Sequence, residues 1–204
     1  MTVVLVDYGS GNLRSLRAAM ERAGSEVAVA ADPATVASAR RLMVPGQGAA
    51  GPTMATLRRT GLEQAIREAV ANGAYLLGVC VGLQLLFDAS DEDATPCLGF
   101  LPGHVERLEG TARLPHMGWN DVVPAVQTPL FKGLETDSRF YFLHSYYFDC
   151  DSQDNALART AYGHNFSCAV AAGNVYGVQF HPEKSHHYGA ALLKNFAELP
   201  HAAA

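Results

Sequence analysis

The stretch Tyr75-Leu76-Leu77-Gly78-Val79-Cys80-Val81-Gly82-Leu83-Gln84 decides how this chain is read. Tyr75–Val79 is a short apolar run of strand character, and Leu83, Leu86 and Phe87 start a helix straight after it. The glycines bracket Cys80 in a G-x-nucleophile-x-G elbow, with Cys where a hydrolase would carry Ser. Such a turn is tight, and side chains at Gly78 and Gly82 would crowd the neighbouring elements. It pushes Cys80 out at the carboxyl edge of the sheet, where ligands of open α/β sheets bind. The following helix would aim free N–H groups and its positive end there, favouring a thiolate and a developing oxyanion. The same residues also fit a buried structural cysteine between packing glycines, because cysteine is among the most buried residue types. Cys97, Cys150 and Cys168 lack the elbow and read as core or surface residues.

Outward from this segment, strand and helix signals alternate. Thr2–Val6, Glu26–Ala30 and Arg41–Val44 read as strands. Leu13, Leu16, Met20 and Ala23 recur at helical spacing and Gly24 closes that helix, while Leu62, Ile66 and Val70 mark another. The second half is richer in short aromatic runs: Arg139–Phe142, Ser145–Cys150, Leu157–Tyr162 and Val175–Gln179. The chain closes on a helix with Tyr188, Leu192, Phe196 and Leu199 on one stripe. The expectation is an α/β fold spanning residues 1–204 as one domain. It has an open, mostly parallel sheet flanked by helices, with antiparallel strands added to it.

Composition excludes several classes. The chain has 204 residues, 49% of them hydrophobic and 17% charged, and a net charge of −5. That is no basic nucleic-acid binder and no polybasic membrane anchor. The longest apolar stretch, Ala74 to Leu83, has 10 residues, against about 20 for a membrane span. The N-terminus has no basic flank of a signal peptide, and four cysteines make no disulfide scaffold. The expectation is a soluble, cytoplasmic, reduced protein that binds neither nucleic acid nor membrane.

A thiol nucleophile needs a base. Among eight histidines, His181 stands out, because Val178-Gln179-Phe180-His181-Pro182-Glu183 follows an apolar strand. If that strand runs parallel to the central ones, His181 reaches the same edge as Cys80. Pro182 biases His181 toward an extended conformation, in which residues two apart share a side. His181 and Glu183 then lie together, and a carboxylate fixes the imidazole tautomer and supports its basicity. The alternative is a strand-end histidine beside a solvated glutamate. A metal site is disfavoured, because the adjacent pair His186-His187 diverges and no C-x-x-C or H-x-x-x-H occurs; no cofactor is implied. Pro45-Gly46-Gln47-Gly48, after another strand, offers one oxyanion donor from the Gln47–Gly48 region, and the Val81 backbone offers a second. By itself the loop also fits an ordinary Pro-Gly turn.

With these motifs in hand the chain resembles the class I, triad-type glutamine amidotransferases, whose core is flavodoxin-like, over nearly its whole length. The general parts are Gly78–Gln84 and Gln179–Ser185. Asp7–Leu13, Pro115–Asn120 and Phe142–Tyr147 narrow the resemblance to the glutaminase subunits of imidazole glycerol phosphate synthases, in histidine biosynthesis. The resemblance implies that Cys80 attacks the side-chain amide of L-glutamine with His181 as base and Glu183 as orienter. It implies a glutamine pocket with Gly46, Gln84, His144, Ser145 and Tyr146. It also implies delivery of ammonia to a separate (β/α)₈-barrel cyclase subunit faced by Asn12, Trp119, Asn120 and Lys184. Two positions depart from the family pattern: Val81 stands where Leu is usual, and Gln47 where a small apolar residue is common. Rival readings are another amidotransferase of the class, a stand-alone hydrolase of γ-glutamyl amides and an inactive scaffold module.

Overall fold

A computed structural model describes residues 2–110, 113–134, 137–148 and 155–200. The first half is β1 (Thr2–Val6), α1 (Leu13–Arg22), β2 (Glu26–Ala30), α2 (Pro33–Ala37), β3 (Arg41–Val44), α3 (Ala50–Thr60), α4 (Leu62–Ala71), β4 (Tyr75–Val79) and α5 (Val81–Gln84). The second half is β5 (Ala89–Ser90), β6 (Thr95–Pro96), β7 (His104–Arg107), β8 (His116–Asp121), β9 (Val123–Pro124), β10 (Arg139–His144), β11 (Tyr146–Phe148), β12 (Ala156–Tyr162), β13 (His164–Ala172), β14 (Val175–Val178) and α6 (His186–Ala197). The four strands expected in the first half have the bounds read from sequence.

Five strands in the order β2-β1-β3-β4-β14 run parallel. Val3, Leu5, Leu42, Met43, Leu76 and Leu77 are wholly buried there, and strands covered on both faces read as continuous apolar runs. Each such side chain contributes roughly 1.5–3 kcal/mol by leaving water. The sheet then continues through antiparallel β13 and β11, and β12 pairs with β13. The extension is larger than expected, because β13 was not anticipated: its apolar residues are interrupted by Asn165 and Ser167. Arg139–Phe142, expected to join this sheet, instead lies in β10, which forms a separate two-stranded ladder with β8. That ladder is tied to the segment that carries His181 by the Tyr141–His181 bridge.

Two local differences matter for the site. The helix after Cys80 is only four residues long. Leu83, Leu85, Leu86 and Phe87 are all wholly buried, so no polar face exists to carry an amphipathic helix. The carbonyls of Leu85, Leu86 and Phe87 are instead taken by N–H groups of Leu98 to Leu101. A macrodipole therefore adds little at Cys80, and the local amides remain as the electropositive element. Second, α2 and α3 were not anticipated. Asp32 caps α2 by accepting from the Thr35 N–H at 2.9 Å, a capping pattern present in the sequence. Part of Ser145–Cys150, together with Cys150 itself and the terminal alanines, lies outside the described residues.

Candidate active site

Cys80 follows β4 with φ 54° and ψ −112°, a left-handed backbone that a non-glycine residue adopts only under constraint. Its N–H bonds the Val178 carbonyl at 2.8 Å, fixing the elbow to β14. Three glycines make the close approach possible. A Cβ on Gly78 would lie 2.5 Å from the Gly82 oxygen, on Gly82 2.1 Å from the Val44 oxygen, and on Gly46 2.4 Å from the Val81 nitrogen. The loop after β3 thus rests directly against the amides that follow Cys80.

Because β14 is parallel to β4, His181 emerges at the same edge as Cys80. Its N–H bonds the Tyr141 carbonyl at 2.8 Å, and its ring Nδ1 stands 3.0 Å from Glu183 Oε1. The expected extended alternation does not produce this pair. Pro182–Lys184 is a 3-10 turn that swings Glu183 behind the imidazole. The Glu183 side chain is only 2% exposed, and its Oε2 has no partner among the described residues. Burial by itself would push His181 down, but hydrogen bonds and charge from Cys80 and Glu183 outweigh it and raise the imidazole from 6.5 to about 10. The imidazolium is therefore the favoured form beside the Cys80 sulfur.

A cavity of about 250 Å³ opens on Cys80 and His181. It gathers most of the residues expected from sequence: Gly46, Gln47, Gly48, Val81, Gln84, His144, Ser145, Tyr146, Asn12 and Lys184. The loop is braced from behind. Tyr8 donates its hydroxyl to the Pro45 carbonyl at 2.7 Å, and Ser10 donates to the Gln47 carbonyl at 3.1 Å. Burial pushes the Tyr8 phenol up to about 12, against the Gln47 backbone N–H, which lowers it. His144 is neutral, its pKa lowered to about 3 mainly by burial. Sequence reasoning missed Glu92, Pro115 and Leu143 in the lining. Glu92 accepts the Ala50 N–H at 2.8 Å, and burial raises its carboxyl. In sequence it sits inside Asp91-Glu92-Asp93, which reads as a solvated acidic turn, so nothing local marks it.

The expected partner-facing residues divide. Trp119 is 39% exposed, and Met117, which was not among them, is 64% exposed on the same face. Trp119 stacks on His186 at 5.1 Å and meets Tyr141 edge-on, and Lys184 lies 5.6 Å over the Tyr141 ring. Asn120, next along β8, falls on the opposite face by strand alternation. Its amide donates to the Ala161 carbonyl at 2.8 Å and contacts His116 Nε2 at 3.2 Å. Among the described residues no group of three His, Cys, Asp or Glu side chains could hold a metal, and no helix is long and apolar enough to cross a membrane.

Residues 4–199 match the family described as glutamine amidotransferase class-I. The imidazole glycerol phosphate synthase subunit HisH of Bdellovibrio bacteriovorus is 48% identical over 204 residues, covering 97% of this chain and all of that one. The protein of the same name from Nitrosomonas europaea is 46% identical, with 96% and 97% covered. A solved structure described as a glutamine amidotransferase superposes with a TM-score of 0.72 at 26% identity, covering 93% of this chain and 98% of that one. The chain belongs to the class I glutamine amidotransferases and, within them, to the family of imidazole glycerol phosphate synthase HisH subunits.

Proposed function

We propose that the chain hydrolyses L-glutamine to glutamate and ammonia, with Cys80 as nucleophile, His181 as base and then acid, and Glu183 as orienter. The observation that carries this reading is that Cys80 and His181 line one cavity while the buried Glu183 carboxylate stands 3.0 Å from His181 Nδ1. The Cys80 sulfur attacks the side-chain amide carbon. His181 returns a proton to the leaving ammonia, and water cleaves the resulting thioester. The amide of Val81 and the Gln47–Gly48 loop supply the oxyanion donors, since both border the cavity at Cys80. Gly46 lets that loop approach, and Gln84, His144, Ser145 and Tyr146 line the glutamine pocket. Glu92, the one carboxylate among the lining residues, is the counter-charge for the α-ammonium group of the substrate.

The ammonia goes to a (β/α)₈-barrel cyclase subunit, which forms imidazole glycerol phosphate and an aminoimidazole carboxamide ribotide in histidine biosynthesis. Free ammonia in neutral water is mostly ammonium, which is not a nucleophile, so delivery needs an enclosed path. The exposed Met117 and Trp119, with half-buried Lys184 beside Tyr141, form the face for that partner, and Asn12 lines the cavity. The test is glutamate release by the chain alone and then with the cyclase and its nucleotide ligand. Little release alone and strong release in the complex supports a partner-gated subunit. Full release alone points to a self-sufficient amide hydrolase and removes the support for the partner face.

A further inference from the structure

Two buried glutamines connect the cavity wall to the nucleophile. Gln84 Nε2 donates to the Tyr146 carbonyl at 3.0 Å and to Gln179 Oε1 at 3.1 Å. Gln179 Nε2 in turn donates to the Cys80 sulfur at 3.7 Å. The direction of this relay is not arbitrary. A backbone carbonyl can only accept, so Tyr146 forces the nitrogen end of Gln84 toward itself. The second Gln84 proton then requires the oxygen end of Gln179, and the nitrogen end of Gln179 must face the sulfur. Gln179 is wholly buried, and an unbonded amide there would be costly.

The Tyr146 carbonyl is itself held in place from the other side. It stands 2.8 Å from His144 Nδ1, which must therefore carry the proton. His144 Nε2 is then an acceptor and takes the Nδ1 proton of His116 at 2.9 Å. His116 Nε2 accepts from Asn120, 3.2 Å away, whose other proton goes to Ala161. Both imidazoles are neutral, held down mainly by burial to about 4 for His116 and about 3 for His144. This gives Asn120 a task inside the fold, as the donor that starts the chain.

We propose that Gln179 is a positioning residue for glutamine hydrolysis, its amide N–H directed onto the Cys80 sulfur by the chain that Tyr146 and Gln84 orient. The inference rests on the reading of Cys80 as nucleophile. The sulfur also lies 3.7 Å from the Leu143 carbonyl, which accepts from a thiol but repels a thiolate. The Gln179 N–H has the opposite sign and favours the charged form. It also limits where the sulfur sits when it attacks.

The test is alkylation of Cys80 by iodoacetamide on the full chain, followed by peptide mass spectrometry across pH 5 to 10. Gln179→Met removes the donor at similar length, and its half-maximal pH should rise by about one unit or more. Gln179→Glu keeps the acceptor for Gln84 but turns an oxygen to the sulfur, and should move further. Gln84→Met, which releases Gln179 but leaves its N–H donor in place, should shift the profile less in the same direction. In the complex with the cyclase, Gln179→Met should lower kcat about tenfold with KM unchanged. Profiles that superpose on the parent, with only a lower melting temperature, would overturn the proposal. Should Gln179→Met fail to fold, Gln179→Glu and Gln84→Met decide the matter. A parent Cys80 no more reactive than Cys97 or Cys168 would instead sink the nucleophile reading itself.

Discussion

His181 and His144 border the same cavity, and both are buried, yet they are held in opposite charge states. His181 is raised to about 10, because Cys80 and Glu183 overcome the effect of burial. His144 is lowered to about 3, with burial as the main cause and only a carbonyl and the His116 imidazole as hydrogen-bond neighbours. Burial disfavours imidazolium in both places, so the hydrogen bonds and charge interactions that Cys80 and Glu183 supply to His181 decide the difference. One imidazole carries an extra proton beside the Cys80 sulfur, and the other holds a fixed direction of hydrogen bonding.

The largest test of this contrast is to remove the charged imidazole. His181→Ala should lower kcat for glutamate release in the complex by about 10⁴-fold, because proton transfer is lost. Glu183→Gln removes the carboxylate while keeping the shape. It should cost about 10²-fold, since the orienter assists while the base transfers the proton. Equal losses in the two variants would mean that histidine and carboxylate act as one unit.

A smaller effect appears in stability against pH. His181, raised from 6.5 to about 10, binds its proton more tightly folded than unfolded. Its stabilisation is full below about 6.5 and is lost as pH rises through about 10. His116 and His144, lowered from 6.5 to about 4 and about 3, do the reverse. Their stabilisation is present above about 6.5 and is lost as pH falls through about 4 to 3. Urea unfolding of the chain should therefore give a maximum near pH 6.5. Glu183→Gln should flatten the alkaline limb by more than about 1 kcal/mol and leave the acid limb unchanged. A flattened acid limb would contradict the separation of the two histidine environments.

Much of this was legible in the sequence where chemistry and local pattern coincide. The apolar runs of β1 to β4 announced their bounds, and Gly78 and Gly82 announced the elbow whose crowding the structure measures. His181 was found because it follows a strand that must reach the same edge. What escaped depends on contacts distant in sequence. Glu92 enters the cavity through its bond to Ala50 at the start of α3, 42 residues away. The short helix after Cys80 was overestimated, because its buried leucines keep helical spacing while Leu98 to Leu101 capture their carbonyls. Trp119 and Asn120 read as one surface, but adjacent residues of a strand face opposite ways, and Asn120 belongs to the His116 side.

The most direct test of the account is to trap the acyl group. The chain, in complex with the cyclase, would be mixed with radiolabelled L-glutamine, quenched in acid within the first turnover, and digested for peptide mapping. A γ-glutamyl thioester is expected on the Cys80 peptide and none in Cys80→Ala, which should also release no glutamate. Glutamate released at an undiminished rate by Cys80→Ala, or label on any other residue, would contradict it.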